Sequence, residues 1–190
     1  ILITINWGGY ILAVNLGRVV EASMGYFLSP VINMIGGYLF FHERISKLKQ
    51  LAVLFATVGA LYYVFSGDSF PWLGFLVGFT FSAYGIARKA MSSSAVPGLY
   101  IETLILLPFF LVFSIWFYAN FDIAFFNVDI PTDILLFLAG AVTVVPLALF
   151  NAGAKLLPMT TVGILFLITP TLQFLVGYYL QNEAVNTNQL

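Results

Sequence analysis

Apolar runs of about 20 residues follow one another along almost the whole chain. The runs break at His42-Glu43-Arg44-Ile45-Ser46-Lys47, Ser66-Gly67-Asp68-Ser69, Ser92-Ser93-Ser94, the segment from Asn120 to Asp133, and Leu157-Pro158. A helix of about 20 apolar residues spans about 30 Å of hydrocarbon, whereas a barrel strand alternates apolar and polar over about 10. The pattern therefore predicts an all-α, polytopic membrane bundle. Its seven helices fall at 1–17, 19–41, 48–66, 71–91, 97–119, 133–157 and 159–181. Pro71, Pro97 and Pro158 lie at or near first turns, where the missing N–H removes no bond. Pro30, Pro108, Pro146 and Pro170 lie well inside their spans. There each proline removes a backbone bond and clashes with the carbonyl four residues back, which predicts kinks.

Composition strengthens this reading. Charged residues are 8% of the chain and hydrophobic ones 61%, against about 25% charged in a soluble domain. With no cysteine and a single histidine, His42, no thiolate or multi-histidine metal site can form. No nucleophile–base set and no Walker motif is present. No catalytic residue, metal or cofactor is therefore expected, and the chain does not read as an enzyme. The net charge is -1 without a basic patch, which gives nucleic acid no purchase. The chain begins Ile1-Leu2-Ile3-Thr4-Ile5, within an apolar run, and stops just past a span. Its ends therefore read as cut.

The few cations set a direction. Arg44, Lys47, Lys49, Arg88, Lys89 and Lys155 fall on alternate connections, and only Arg18 lies on the others, out of seven Lys and Arg in all. The connection near residues 120–133 instead carries Asp122, Asp129 and Asp133. By the positive-inside rule, loops 42–48, 88–97 and 155–159 should be cytoplasmic in a cell membrane.

A shift of 140 residues lays 6–45 over 146–185 without a gap. Pro30 then meets Pro170, Gly37 meets Gly177, Tyr38 meets Tyr178, Glu43 meets Glu183, and Asn33 meets Gln173. The charge rule runs the first helix outward and its counterpart, the sixth, inward. A five-helix unit repeated once produces that inversion, because an odd number of spans flips the second copy. Inverted repeats with a midplane site between them typify secondary transporters.

This pattern resembles the drug/metabolite transporter superfamily, in its EamA-domain branch of two inverted five-helix repeats. Within it the chain is similar to the RarD proteins, known as chloramphenicol-sensitivity proteins. The resemblance rests on Asn6-Trp7, Glu21-Ala22-Ser23, Gly25-Tyr26-Phe27, Pro30, Asn33, Gly37 and Glu43-Arg44. It continues through Phe81-Ser82, Tyr84-Gly85, Arg88-Lys89, Ile101-Glu102-Thr103, Leu107-Pro108, Pro146-Leu147 and Pro170-Thr171. It implies that the seven helices are the third to ninth of ten. Residues 1–66 would be the remainder of the first repeat, and 71–190 the second repeat without its last helix. RarD-like chains usually carry Gln-Tyr before the proline of the ninth helix. Here the pair is Phe166-Leu167, which bears on substrate choice if that pair touches substrate.

The function expected is secondary-active transport of small organic solutes by alternating access. The alternative is a non-transporting scaffold or a channel, although none of the seven helices carries the polar stripe a channel needs. Residues expected along the substrate path are Asn6, Trp7, Tyr26, Pro30, Asn33, Pro146, Pro170 and Gln173. Glu21 and Glu102 are carboxylates within or beside spans, with a coupling or a structural role. Arg18 is three residues before Glu21, and Glu102 lies close in depth to Arg88 and Lys89. Glu43 ends its helix, where a negative charge opposes the macrodipole, so cations or N–H groups of a neighbouring turn should hold it. Gly74, Gly78 and Ser82 put a small face on the fourth helix, which allows close approach. The partners left open are the lipid bilayer, a small-molecule substrate and a second copy of the chain.

Overall fold

The computed structural model describes residues 1–66, 70–121 and 125–179, and every regular element among them is helical. In order these are α1 (Leu2–Asn15), α2 (Val19–Gly25), a 3-10 turn (Tyr26–Leu28), α3 (Ser29–Phe41), α4 (Lys47–Ser66) and α5 (Trp72–Ala90). They are followed by α6 (Ala95–Asn120), α7 (Ile130–Leu156), α8 (Met159–Phe166) and α9 (Ile168–Tyr179). Joining α2 to α3, and α8 to α9, returns the seven helices expected from the apolar runs. Val19–Phe41, Ala95–Asn120 and Ile130–Leu156 are long and apolar enough to cross a membrane. The chain is an all-α membrane protein. Asp122, Glu183 and the end of the last expected span, residues 180–181, lie outside the described residues.

The helices expected to be continuous at 19–41 and 159–181 are each broken, and the breaks fall where proline chemistry puts them. Proline clashes with the carbonyl four residues back, which is that of Tyr26 for Pro30 and of Phe166 for Pro170. At the first break the chain tightens into a 3-10 turn, with the Ser29 N–H donating to the Tyr26 carbonyl. At the second, the Leu167 N–H donates to the Ile164 carbonyl at 3.1 Å, again three residues back. Pro30 thus stands in the first turn of α3, inside its span but at the start of a new helical segment. Pro108 and Pro146 lie inside the unbroken α6 and α7.

The chain forms two compact units, Ile1–Ala90 with Ala154–Leu190, and Met91–Gly153. The first unit is discontinuous in the chain because α5, α8 and α9 pack onto α1 to α3. In the first unit α1 lies on α5, α2 on α5 and α9, and α3 on α8 and α5. The small face of α5 makes this possible. A Cβ on Gly25 would fall on the Gly74 carbonyl, and one on Gly78 would fall on the Gly25 carbonyl. The two backbones therefore touch directly, the kind of contact that holds helices together in lipid. Beside it Ala13, Ala22 and Leu73 are fully buried, with Tyr10 packed against them.

The second unit holds α6 and most of α7. Their surfaces are almost wholly apolar and exposed, as at Ile105, Phe109, Ile115, Leu135, Phe137 and Val142. Such helices are tenable only in lipid or against other protein. Before α7 the loop closes on itself: Asp133 accepts from the Phe126 N–H at 2.7 Å, and Asp129 from the Thr132 N–H at 2.8 Å.

Candidate functional site

Polar groups of the first unit gather along the seam where α2 and α3 meet α1, α5 and α8, in three clusters. At one end Glu21 is buried and pairs with Arg18. Its other oxygen accepts from the Leu73 N–H at 3.1 Å, one of the free donors at the start of α5. Glu21 thus holds a helix N-terminus and an ion pair.

The middle cluster surrounds the first helix break. Asn6 of α1 donates to the Val77 carbonyl at 2.7 Å and to Thr80 Oγ1 at 3.2 Å. Its side-chain oxygen accepts from the Tyr26 hydroxyl at 3.4 Å. The Tyr26 ring meets Phe81 of α5 edge-on at 5.8 Å and Phe166 of α8 at 5.3 Å, and Phe81 stacks on Phe166 at 4.5 Å. One turn further along α3, Asn33 is 3% exposed. A Cβ on Gly163 of α8 would lie 2.9 Å from Pro30 Cα and 3.0 Å from Asn33 Cβ, so glycine lets the two helices close around the carboxamide. The Asn33 side-chain oxygen and the Ser29 and Ser82 hydroxyl oxygens are buried, with no hydrogen-bond partner among the described residues. The Gln173 side-chain oxygen is in the same state. Unpaired buried polar atoms are uncommon in native proteins and ask for an explanation.

The third cluster closes the other end. His42 takes the left-handed conformation at φ 52, and the Glu43 N–H returns to the Gly37 carbonyl at 3.0 Å, an αL ending of α3. The turn delivers the Glu43 carboxylate to the start of α8. There it accepts from the Met159 N–H at 2.6 Å, from the Thr160 N–H at 3.3 Å and from Lys89 Nζ at 3.2 Å. Burial pushes its pKa up, but the two N–H groups and the Lys89 ammonium outweigh this and hold it below the ordinary glutamate value. Lys89 also donates to the Leu157 carbonyl and lies 5.1 Å over the Phe41 ring. Lys49 of α4 donates to Thr161 Oγ1 at 2.7 Å. The cation and N–H partners expected for Glu43 are both present.

The structure brings together Asn6, Tyr26, Pro30 and Asn33 along this seam. Pro170 is fully buried in α9, and Gln173 is half-buried. Trp7 is 39% exposed beside the buried Asn6, and Pro146 is exposed on α7. Glu102 is half-buried on α6, and Asn151 is fully buried near the end of α7. Sequence reasoning did not single out Thr80, nor the pairing of Lys49 with Thr161. Each partner lies more than 70 residues from the other, beyond the reach of any local pattern.

No family model matches the chain, and no solved structure does. Named proteins do match over its whole length. An uncharacterized transporter of Pseudomonas aeruginosa is 39% identical over 192 residues, 100% of this chain and 64% of that protein. The uncharacterized transporter YojE of Bacillus subtilis is 38% identical over 189 residues, 100% of this chain and 63% of that protein. Protein RarD of Escherichia coli is 35% identical over 193 residues, 100% of this chain and 64% of that protein. Helices that fit a bilayer make this chain a membrane protein, and the relatives that match it are named as transporters. The chain is thus similar to RarD proteins and RarD-like transporters, and it spans just under two thirds of the length of these relatives.

Proposed function

We propose that this chain is the central part of a secondary-active transporter that moves small organic solutes by alternating access between two inverted repeats. Its solute path follows the seam of α3, α5 and α8 past the broken helices. The observation that carries the reading is the buried, unpartnered carboxamide oxygen of Asn33, next to a helix break in an apolar span. Polar groups in a membrane interior are tolerated where protein or cavity water satisfies them, and broken helices at midplane are how transporters make such a cavity. The two breaks support the repeat, because each falls just before one of two prolines that lie 140 residues apart, Pro30 and Pro170. Asn33 and Gln173 are the corresponding carboxamides. A carboxamide offers two donors and an acceptor, which suits a polar or zwitterionic solute, and the aromatic trio suits its apolar part. Loops 42–48, 88–97 and 155–159 face the cytoplasm in this reading, from the distribution of cations.

The test is uptake by the full-length protein in proteoliposomes across a panel of polar and zwitterionic solutes. The reading expects at least one solute whose uptake falls with Asn33→Leu and with Gln173→Leu while both variants still insert. Uptake of none, or parental uptake by both variants, would remove it.

A further inference from the structure

We propose that Glu43 is the bolt of a gate at one end of the solute path, released when α8 swings away from α3 and α5. The inference rests on the transporter reading above and adds the place where the path opens. Two kinds of contact hold the helix that runs from Val19 to Phe41. On its Glu21 side the contact with α5 is backbone on backbone, with Gly25 against Gly74 and Gly78. No side chain is present there to rotate aside, so that half is fixed to α5. On its Glu43 side α3 also packs on α8, with Gly163 against Pro30 and Asn33, but the polar connections run through side chains: Glu43 to the Met159 and Thr160 N–H groups, Glu43 to Lys89, Lys89 to the Leu157 carbonyl, and Lys49 to Thr161. Every one of these can exchange for water or a headgroup without moving a packed backbone.

Between the fixed half and the bolted half lies the 3-10 turn at Tyr26–Leu28, and α8 has its own break at Leu167. The breaks supply hinges on both helices that the bolt joins. Behind the bolt lie the unpartnered Asn33 oxygen and the close contact of Gly163 with Pro30 and Asn33. Swinging α8 out would uncover Asn33, and closing it returns the free N–H groups of the α8 start to Glu43. The carboxylate thus replaces water on those N–H groups in the closed state, so neither state leaves them bare. In this structure the gate is shut.

The chain contains no cysteine, so a reporter thiol within it is unambiguous once any cysteine elsewhere in the full protein is replaced. Ser29→Cys puts that thiol at a fully buried position behind the bolt. The full-length protein would be labelled with a membrane-impermeant methanethiosulfonate in right-side-out and inside-out vesicles. Adding Glu43→Gln, which keeps size and one acceptor but loses the charge, should speed labelling from the side carrying the Lys49 loop. The expected rise is about tenfold, the shift given by the loss of one charge-assisted hydrogen bond. Labelling from the other side should not rise. Lys89→Gln is the second variant, for the case in which Glu43→Gln does not fold, and it should act in the same direction. A permanent staple predicts unchanged labelling in whatever fraction folds, and that result in a folded variant would overturn the gate. Access is read without any solute, so failure here is distinct from failure of the uptake screen.

Discussion

The seam around α2, α3 and α5 and the pair α6 and α7 are both built of apolar helices, the latter pair the more so, yet they place them in opposite environments. Val19, Val20 and Ala22 of α2 are buried against neighbouring helices, while Phe109, Ile115 and Phe137 are exposed. The helix from Val19 to Phe41 contains Glu21, Ser23, Ser29 and Asn33, all buried. α7 between Ile134 and Val142 carries no polar side chain. In water the rule would run the other way, with polar groups outside. In lipid there is no apolar penalty on the outside, so polar groups collect where protein can satisfy them. The contrast shows which helices pack closely within a unit: those whose polar and small residues meet those of a neighbour.

The largest effect that would test this comparison is steric. Gly25→Ala should destabilise the protein by about 3 kcal/mol or abolish folding, because the new methyl overlaps a backbone carbonyl that cannot yield. Gly140→Ala on α7 meets nothing within 4 Å and should be neutral or stabilising by about 0.5–1 kcal/mol. Thermal melts of the full-length protein in detergent would show both. Equal effects at the two positions would erase the distinction between interior and exterior helices.

Next comes Glu43→Gln, which should lower stability by about 1.5–3 kcal/mol through loss of charged hydrogen bonds. The pH dependence has a definite sign. The carboxyl is held below its ordinary value in the folded state, so its stabilisation is full above the ordinary glutamate range. It is lost as pH falls through the depressed folded value. Melts taken from neutral to acidic pH should therefore converge for the parent and the variant. Parallel curves would mean that Glu43 carries no charge-dependent contact.

Asn6 and Asn33 sharpen the comparison within the seam. Both are buried carboxamides, but Asn6 has its partners, whereas the Asn33 oxygen has none among the described residues. Asn6→Leu removes the bonds to the Val77 carbonyl and Thr80 and takes the acceptor from the buried Tyr26 hydroxyl, and should cost about 1–3 kcal/mol. Asn33→Leu relieves an unsatisfied group, so its stability should stay within about 1 kcal/mol of the parent, or rise. Uptake should be lost with it. Stability losses of equal size would make Asn33 a packing residue.

The smallest effect is expected on α7. Phe137 is 79% exposed, and Phe137→Ala should change stability by less than about 0.5 kcal/mol. A loss of several kcal/mol would show that protein, not lipid, covers this face.

Much of this was legible before any coordinates. Run length alone determined seven helices, three of them long and apolar enough to cross a membrane, since only a helix satisfies its backbone over 20 apolar residues. Proline position marked the breaks before Pro30 and Pro170, because its clash with the carbonyl four residues back is local chemistry, but α6 and α7 run unbroken through Pro108 and Pro146. The need of Glu43 for partners followed from its place at a helix C-terminus. The sequence even marked α5 as a close-packing helix through Gly74 and Gly78. Other features could be decided only by the tertiary structure. Glu43 meets the start of α8 more than 100 residues away, and Phe81 of α5 meets Phe166 of α8. Asn6 is satisfied while Asn33 is not, although both are asparagines in apolar runs of the same kind. Periodicity reports what a residue does to its own helix, within about four positions. Which donor faces which acceptor across two helices depends on how those helices cross, and glycine contacts between distant segments set that crossing.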